Sequence, residues 1–319
     1  MSTRAFLRAA IVTFSLAACA GEVAPVDARC DESRACTDSL AQTRTDPLPF
    51  QTFRLQTGTP LHETGDNVTF VVAGNDDLFA IKKRNTGSGR TEVHILSAVS
   101  NYQRFSLQVA TALHETGSDF EFGLNRNRDL VAIKKRSTGT DSTEVHILSA
   151  ASGYREFTLQ TGTALHETGD DFEFEVAGNG DLYAIKKYGT GSGKTEVHIL
   201  SADSSYQQFT FHGATALHET DKTFTFLRTS LGSIYAIKKS ATGTGSTEVH
   251  HLSPLTNYTT FGMQIGTLLH ETDDTFEFAV TLNFDIIAIK KSRTSTGSTE
   301  VHILAWGPAV ARPPGRGPN

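Results

Sequence analysis

Apolar and polar residues alternate with a period of two in short segments along most of this chain, and the pattern is clearest between residues 172 and 211. Such alternation is typical of strands with one buried face. The segments are separated by Gly, Asn, Asp and Ser residues that favour turns, and no segment shows a helical period. The sequence therefore predicts four antiparallel strands here, over residues 172–176, 182–187, 195–200 and 206–211.

The same unit recurs every 52 residues, without insertions. The string His-Glu-Thr begins at His62, His114, His166, His218 and His270. The string Thr-Glu-Val-His follows in step, with its glutamates at Glu92, Glu144, Glu196, Glu248 and Glu300. Four short strands per repeat is the size of a propeller blade, and five blades packed radially bury both faces of each sheet. We therefore predict an all-β fold, a five-bladed β-propeller.

The two ends of the repeated region complement each other. Residues 49–55 copy the fourth strand of the repeat, whereas the last repeat stops after a third-strand segment, 299–304. We expect the N-terminal strand to complete the last blade, which closes the ring and removes two exposed strand edges. A solenoid is the alternative, but solenoids need capping repeats and none is present in the sequence. The predicted propeller spans residues 48–304.

The N-terminus has the features of an export signal. Arg4 and Arg8 precede a short apolar stretch that ends at Cys19. Leu16-Ala17-Ala18-Cys19 resembles a bacterial lipobox, which implies a signal peptide over 1–19 and a lipid on Cys19. Cleavage after Ala20 is the alternative. The resemblance places the protein outside the cell, anchored by lipid to a bacterial membrane, and Ala20 implies the outer membrane where the host has one.

The remaining cysteines and the terminal segments complete this picture. Cys30 and Cys36 are left for a disulfide in an oxidising compartment. Residues 20–47 lack a hydrophobic period and are predicted to form a flexible tether, and residues 305–319, rich in Pro and Gly, a disordered tail.

Charge and motifs exclude some classes of function. The net charge is −6, so no overall basic field favours nucleic acid. We find no serine elbow, no phosphate-binding loop and no candidate nucleophilic cysteine. The repeat places the same acids in every blade, whereas one active site needs blades that differ. On this basis we predict that the protein is not an enzyme and uses no cofactor.

A family resemblance lies in the first hairpin of each repeat. Phe172-Glu173-Phe174, followed by Gly178-Asn179-Gly180-Asp181-Leu182-Tyr183-Ala184-Ile185, resembles the first hairpin of tachylectin-type five-bladed propellers. The resemblance implies the propeller fold and a lectin with one sugar site per blade, between adjacent blades. The tryptophan-rich loops of those lectins are absent here, because Trp306 is the only tryptophan.

The candidate binding residues lie in two loops that share one edge of each blade, after the fourth and after the second strand. We predict that His-Glu pairs from the first loop and a threonine from the second bind a polar ligand such as a sugar. These residues are His62, Glu63, His114, Glu115, His166, Glu167, His218, Glu219, His270, Glu271, Thr86, Thr138, Thr190, Thr242 and Thr294. The alternative is that His-Glu-Thr only braces the loops.

The histidines also raise the question of a metal site. Ten of the twelve histidines lie in the two repeated motifs. Adjacent His and Glu residues on an extended segment point in opposite directions, and no close His-x-His pair joins them, so no metal site is predicted. Glu196 and His198, two apart on the third strand, are expected to form an internal polar network instead.

The expected partners follow from these features. We predict a monomer that binds glycans or a surface protein, with no nucleic acid and with membrane contact only through the lipid. The function that fits best is a multivalent, lectin-like module with up to five equivalent sites. The alternative is a protein–protein scaffold or structural surface module.

Overall fold

The computed structural model describes residues 48–307, which belong to one unit of the chain, Thr45–Asn319. The predicted signal, tether and most of the tail, with Cys19, Cys30 and Cys36, lie outside the described residues. No helix among the described residues is long and apolar enough to span a membrane.

Twenty strands form five antiparallel four-stranded sheets, numbered here as blades I to V. Blade I contains β2 (Val68–Val72), β3 (Leu78–Lys82), β4 (Arg90–Leu96) and β5 (Phe105–His114). Blade II contains β6 (Phe120–Leu124), β7 (Leu130–Lys134), β8 (Ser142–Leu148) and β9 (Phe157–His166). Blade III contains β10 (Phe172–Val176), β11 (Leu182–Lys186), β12 (Lys194–Leu200) and β13 (Phe209–His218). Blade IV contains β14 (Phe224–Arg228), β15 (Ile234–Lys238), β16 (Ser246–Leu252) and β17 (Phe261–His270). Blade V contains β18 (Phe276–Val280), β19 (Ile286–Lys290), β20 (Ser298–Leu304) and β1 (Phe53–His62).

Three short 3₁₀ turns complete the described elements, at Gly65–Asn67, Ala98–Ser100 and Pro254–Thr256. The first strand of each blade contacts the first strands of both neighbouring blades, and these contacts run from β2 through β6, β10, β14 and β18 back to β2. The predicted five-bladed β-propeller is therefore confirmed, with its first strands lining a central channel.

The N-terminal strand closes the ring as predicted. β1 pairs antiparallel with β20, from Phe53 opposite Leu304 to His62 opposite Ser298. The amide of Phe50 donates to the carbonyl of Ala305 at 2.7 Å. Phe50 is fully buried and packs edge-on against Trp306, so chain beyond residue 304 takes part in the seam.

The fourth strand of the repeat differs from the prediction. In blade III it spans Phe209–His218, not 206–211. Tyr206 precedes it with a positive φ of 63°, and its buried hydroxyl donates to the carbonyl of Gly180 at 3.0 Å. Tyr206 thus anchors a turn, although its apolar ring fits a strand pattern. The strand continues to His218 through an irregularity in its pairing with β12. At this irregularity the Thr215 hydroxyl accepts a hydrogen bond from the amide of Leu217 at 3.1 Å. The irregularity interrupts the apolar–polar alternation, so the sequence pattern does not show the full strand.

The core lies between blades. Between blades II and III, for example, Val131 and Val145 pack against Leu182 and Leu200. The second strands are apolar on both faces because each contacts a neighbouring blade on either side. This burial fixes the loops at the two edges of each blade, where the candidate residues lie.

Candidate functional site

Each His-Glu-Thr string lies where the chain leaves the outermost strand of one blade and crosses that blade toward the next. In blade I the amide of Thr116 donates to the carbonyl of Lys83 at 2.9 Å. The hydroxyl of Thr91 donates to the carbonyl of His114 at 2.9 Å and lies 3.4 Å from the Thr116 hydroxyl. Thr116 is buried. The threonine of the string therefore fastens the crossover to the blade beneath it.

The glutamate of each string bonds the predicted threonine of the other loop. Glu115 Oε1 accepts hydrogen bonds from the amide and hydroxyl of Thr86, at 2.6 and 2.7 Å. The same pair of bonds joins Glu167 to Thr138, Glu219 to Thr190, Glu271 to Thr242 and Glu63 to Thr294. These bonds, the amide first, lower the pKa of the Glu115 carboxyl, so it is ionised at neutral pH. The structure brings the predicted residues together in pairs that bond each other.

The histidines of the His-Glu-Thr strings differ from the glutamates and threonines in their exposure and hydrogen bonding. All five imidazoles are exposed, and none makes a side-chain hydrogen bond within residues 48–307. Each stands beside a glutamate held in a fixed position by its threonine. The two loops occupy the same edge of every blade, so the arrangement is repeated five times around one rim of the ring. This rim, defined by the five His-Glu pairs, is called the histidine rim below. It offers imidazole and carboxylate groups that donate to and accept from hydroxyls.

The Glu-x-His pairs of the third strands form an internal network. In blade II His146 Nε2 lies 3.3 Å from Glu144 Oε2, and the ring packs between Phe120 and Phe157. Gln160 on the next strand contacts His146 Nδ1 at 3.1 Å. Burial lowers the pKa of His146, which keeps the imidazole neutral at pH 7.

Blade III contains a variant of this network, because a second histidine, His212, lies beside His198. Burial, and next the charge of His212, lower the pKa of His198 to about 4.

The central channel carries chemistry that differs between blades. A cavity of about 110 Å³ is lined mostly by apolar residues, with Glu175 of blade III and Arg228 of blade IV as its charged side chains. The positions equivalent to Glu175 hold Val71, Gly123, Leu227 and Ala279. Burial, and next repulsion from Glu173, raise the pKa of Glu175 to about 8. Its carboxyl can therefore gain or lose a proton near neutral pH.

Three further glutamates brace the walls of this channel. Glu173 accepts from the amide of Phe226 at 2.8 Å and from the hydroxyl of Thr225, both in blade IV. Glu121 bonds the amide of Phe174 at 2.7 Å and pairs with Lys135 at 2.8 Å. Glu277 joins blade V to blade I in the same way. The repeated motifs of the sequence do not include these acids, because Glu121, Glu173 and Glu277 stand where the other two copies have threonine.

Comparison with known proteins gives no family. No protein-family model matches the chain, and no curated protein matches it. The tachylectin-type resemblance therefore stays a prediction.

Solved structures match it only distantly. A gluconolactonase from Xanthomonas campestris is 14% identical over 82% of this chain and 86% of its own, with a TM-score of 0.41. An α-L-arabinofuranosidase from Podospora anserina is 8% identical over 80% and 98%, with a TM-score of 0.44. An exo-β-1,3-galactanase from Phanerochaete chrysosporium is 10% identical over 78% and 64%, with a TM-score of 0.46.

These structures correct one prediction. The exclusion of catalysis was wrong, because the structures that share the propeller arrangement include enzymes. The exclusion rested on the premise that every blade has the same charged residues. That premise fails in the channel, where Glu175 and Arg228 each occur in one blade only. Similarity at this level of identity assigns no activity to this chain.

Proposed function

We propose that the ring is a multivalent carbohydrate-binding module, with one site at each His-Glu pair of the histidine rim. The observation that carries the proposal is the fivefold repetition of an exposed imidazole beside a positioned carboxylate. In blade I both bonds from Thr86 end on Oε1 of Glu115, which leaves Oε2 to accept from a sugar hydroxyl while His114 donates or accepts.

Five shallow sites suit a repetitive ligand. Exposed polar sites of this kind bind single sugars weakly, and joining several on one rigid ring raises the overall affinity by about 10²–10⁴ on a dense glycan surface. Export and a lipid at Cys19, proposed from the sequence, place such a ring at a cell surface.

The test is a glycan array followed by calorimetry, with a chain of residues 48–307 so that Ala305 and Trp306 keep the seam intact. We expect close to five ligands per chain, and one fewer in His114→Ala. A variant with all five rim histidines changed to alanine keeps the Glu–Thr braces and loses binding. A folded ring that binds no glycan, or one whose binding survives the fivefold change, overturns the proposal.

A protein–protein scaffold is the second candidate, and the opposite rim favours it. Loops there expose Val99 and Leu255, each 94% accessible, and Leu231 and Leu282. Where such side chains together form a contiguous apolar patch, they mark a surface that a protein partner covers. Changing Leu231 and Leu255 to serine abolishes binding to a partner protein and leaves glycan binding intact, so the two candidates are separable.

A further inference from the structure

Blade III differs from its four siblings at one position of its outermost strand. The siblings have a glutamine there, and each glutamine side chain contacts Nδ1 of the third-strand histidine. The pairs are Gln56–His302, Gln108–His94, Gln160–His146 and Gln264–His250, at 3.2, 3.1, 3.1 and 3.0 Å. An amide that donates to Nδ1 fixes the imidazole proton on Nε2, which faces the glutamate. In the siblings, therefore, Nδ1 of the third-strand histidine has a fixed hydrogen-bond partner.

In blade III the equivalent residue is His212, which takes the place of the glutamine. The His198 and His212 rings lie 4.2 Å apart between centroids, inclined by 31°, and no hydrogen bond joins them within residues 48–307. His198 Nε2 is buried without a hydrogen-bond partner in the described part of the chain, as are the Nε2 atoms of His146, His250 and His302. His198 Nε2 lies 3.6 Å from Glu196 Oε2, slightly farther than the 3.3–3.5 Å of the corresponding pairs in the siblings.

Three metal-binding side chains thus converge on one face of blade III. Glu196, His198 and His212 each offer one ligand atom, and these atoms all lie within 4.8 Å of one another. Two strands hold the residues in register, because His198 of β12 lies directly opposite His212 of β13. The face is the one turned toward blade II, since His198 is also aligned with Ala184, which packs there.

We propose that Glu196, His198 and His212 bind a divalent transition metal ion of the zinc class. Two imidazoles and one carboxylate are a donor set that zinc uses with a fourth, open position for water or another ligand. His212 is exposed, so an ion can reach the cluster from solvent.

One contact beside the site orients its carboxylate, and one nearby positive charge opposes a cation there. Ser192 donates to Glu196 Oε1 at 2.8 Å, which orients the carboxylate and leaves Oε2 for the metal. Lys186 is the nearby positive charge, paired in register with Glu196. Its ammonium lies over the Phe172 ring, 6.0 Å from the centroid, where the ring partly stabilises the charge.

The chain supplies its own control variants. His212→Gln restores the residue of the four siblings, so it is expected to fold normally. Gln160→His, conversely, adds a second histidine beside Glu144 and His146 and is expected to build a second site in blade II.

The test is titration of the untagged full-length chain with Zn²⁺ by calorimetry, and with Co²⁺ by absorption. We expect one ion per chain, no ion in His212→Gln and two in Gln160→His. Affinity at the blade III site falls more than about 100-fold in His212→Gln, because loss even of a second-shell partner costs about 10–100-fold. Co²⁺ bound by imidazole and carboxylate lacks the intense near-ultraviolet band of cysteine thiolate ligation, so the cysteines are distinguished.

Two results overturn the inference. One is a chain that binds no Zn²⁺ at micromolar concentrations, and the other is binding that is unchanged in His212→Gln. Because glycan binding at the histidine rim uses other residues, the metal site and the proposed function stand or fall separately.

Discussion

The carboxylate of Glu277 in blade V accepts a hydrogen bond from the backbone amide of Phe70 in blade I, at 2.7 Å. The Thr69 hydroxyl bonds the same oxygen, and Lys291 lies 3.5 Å from the other. One side chain thus joins blade V, which combines the first and last described strands, to its neighbour at the channel wall.

Removal of this brace is expected to destabilise the ring. In Glu277→Ala the amide of Phe70 loses its acceptor at a half-buried site, and Lys291 keeps Asp66 as its acidic partner, so the change costs about 1–3 kcal/mol of unfolding free energy. Urea unfolding followed by fluorescence measures the loss. Glu277→Gln, which keeps an acceptor, is expected to lose less. Equal stability of Glu277→Ala and the unchanged chain contradicts the role of the brace.

Phe50 is expected to be essential to the seam. It is fully buried against Tyr235 and Trp306, and Phe50→Ala leaves a cavity that costs about 3–5 kcal/mol. Leu48→Ala is the matched control, since Leu48 is 64% exposed. Thermal unfolding of the two variants compares them directly, and similar melting temperatures refute a buried role for Phe50.

The channel carboxyl Glu175 is expected to make stability depend on pH. Its pKa is raised from 4.5 to about 8, with Glu173 and Glu121 as repelling neighbours and Arg228 as the attracting one. The folded state therefore holds a proton that the unfolded state releases above its lower pKa. Stability falls as pH rises from about 4.5 to about 8, by up to about 1.4 kcal/mol per pH unit for this group.

Glu175→Gln removes that slope. Urea unfolding at several pH values between 5 and 8 is the measurement, and the variant is expected to show a flatter dependence than the unchanged chain. The same slope in both chains rules out Glu175 as its source.

The histidine rim is expected to show the opposite dependence at acid pH. Its five glutamates have a pKa lowered by hydrogen bonds from threonine. A lowered folded-state pKa contributes stability above the ordinary value of about 4.5, and that stability is lost as pH falls through the lowered pKa. Changing the five threonines to valine is expected to move acid unfolding to higher pH, measured by circular dichroism. No shift contradicts the brace.

The 52-residue repeat made the ring predictable. Features that do not follow the repeated pattern were not predicted from it. The 52-residue period, the alternation at 172–176 and the missing fourth strand after residue 304 were enough for blade number and closure. The limits of the fourth strand were not predictable, because the Thr215 irregularity breaks the alternation and Tyr206 serves a turn.

The glutamates and threonines of the histidine rim were predicted to lie on the same edge of each blade. That they bond to each other is visible only in the structure. Glu175 and His212 were visible in the sequence only as departures from the other copies. Their importance depends on which residues of neighbouring strands and blades surround them, which a pattern along one chain does not contain.

Blade V combines β1 and β20, the first and last strands of residues 48–307, and this affects folding during synthesis. Since Phe53 pairs with Leu304, the ring stays open on the ribosome until β20 has been made. During that interval β1 and β20 are unsatisfied edges that accept any matching strand. Two chains folding close together can therefore exchange β1 and emerge as an interlinked dimer, with every contact of the monomer preserved.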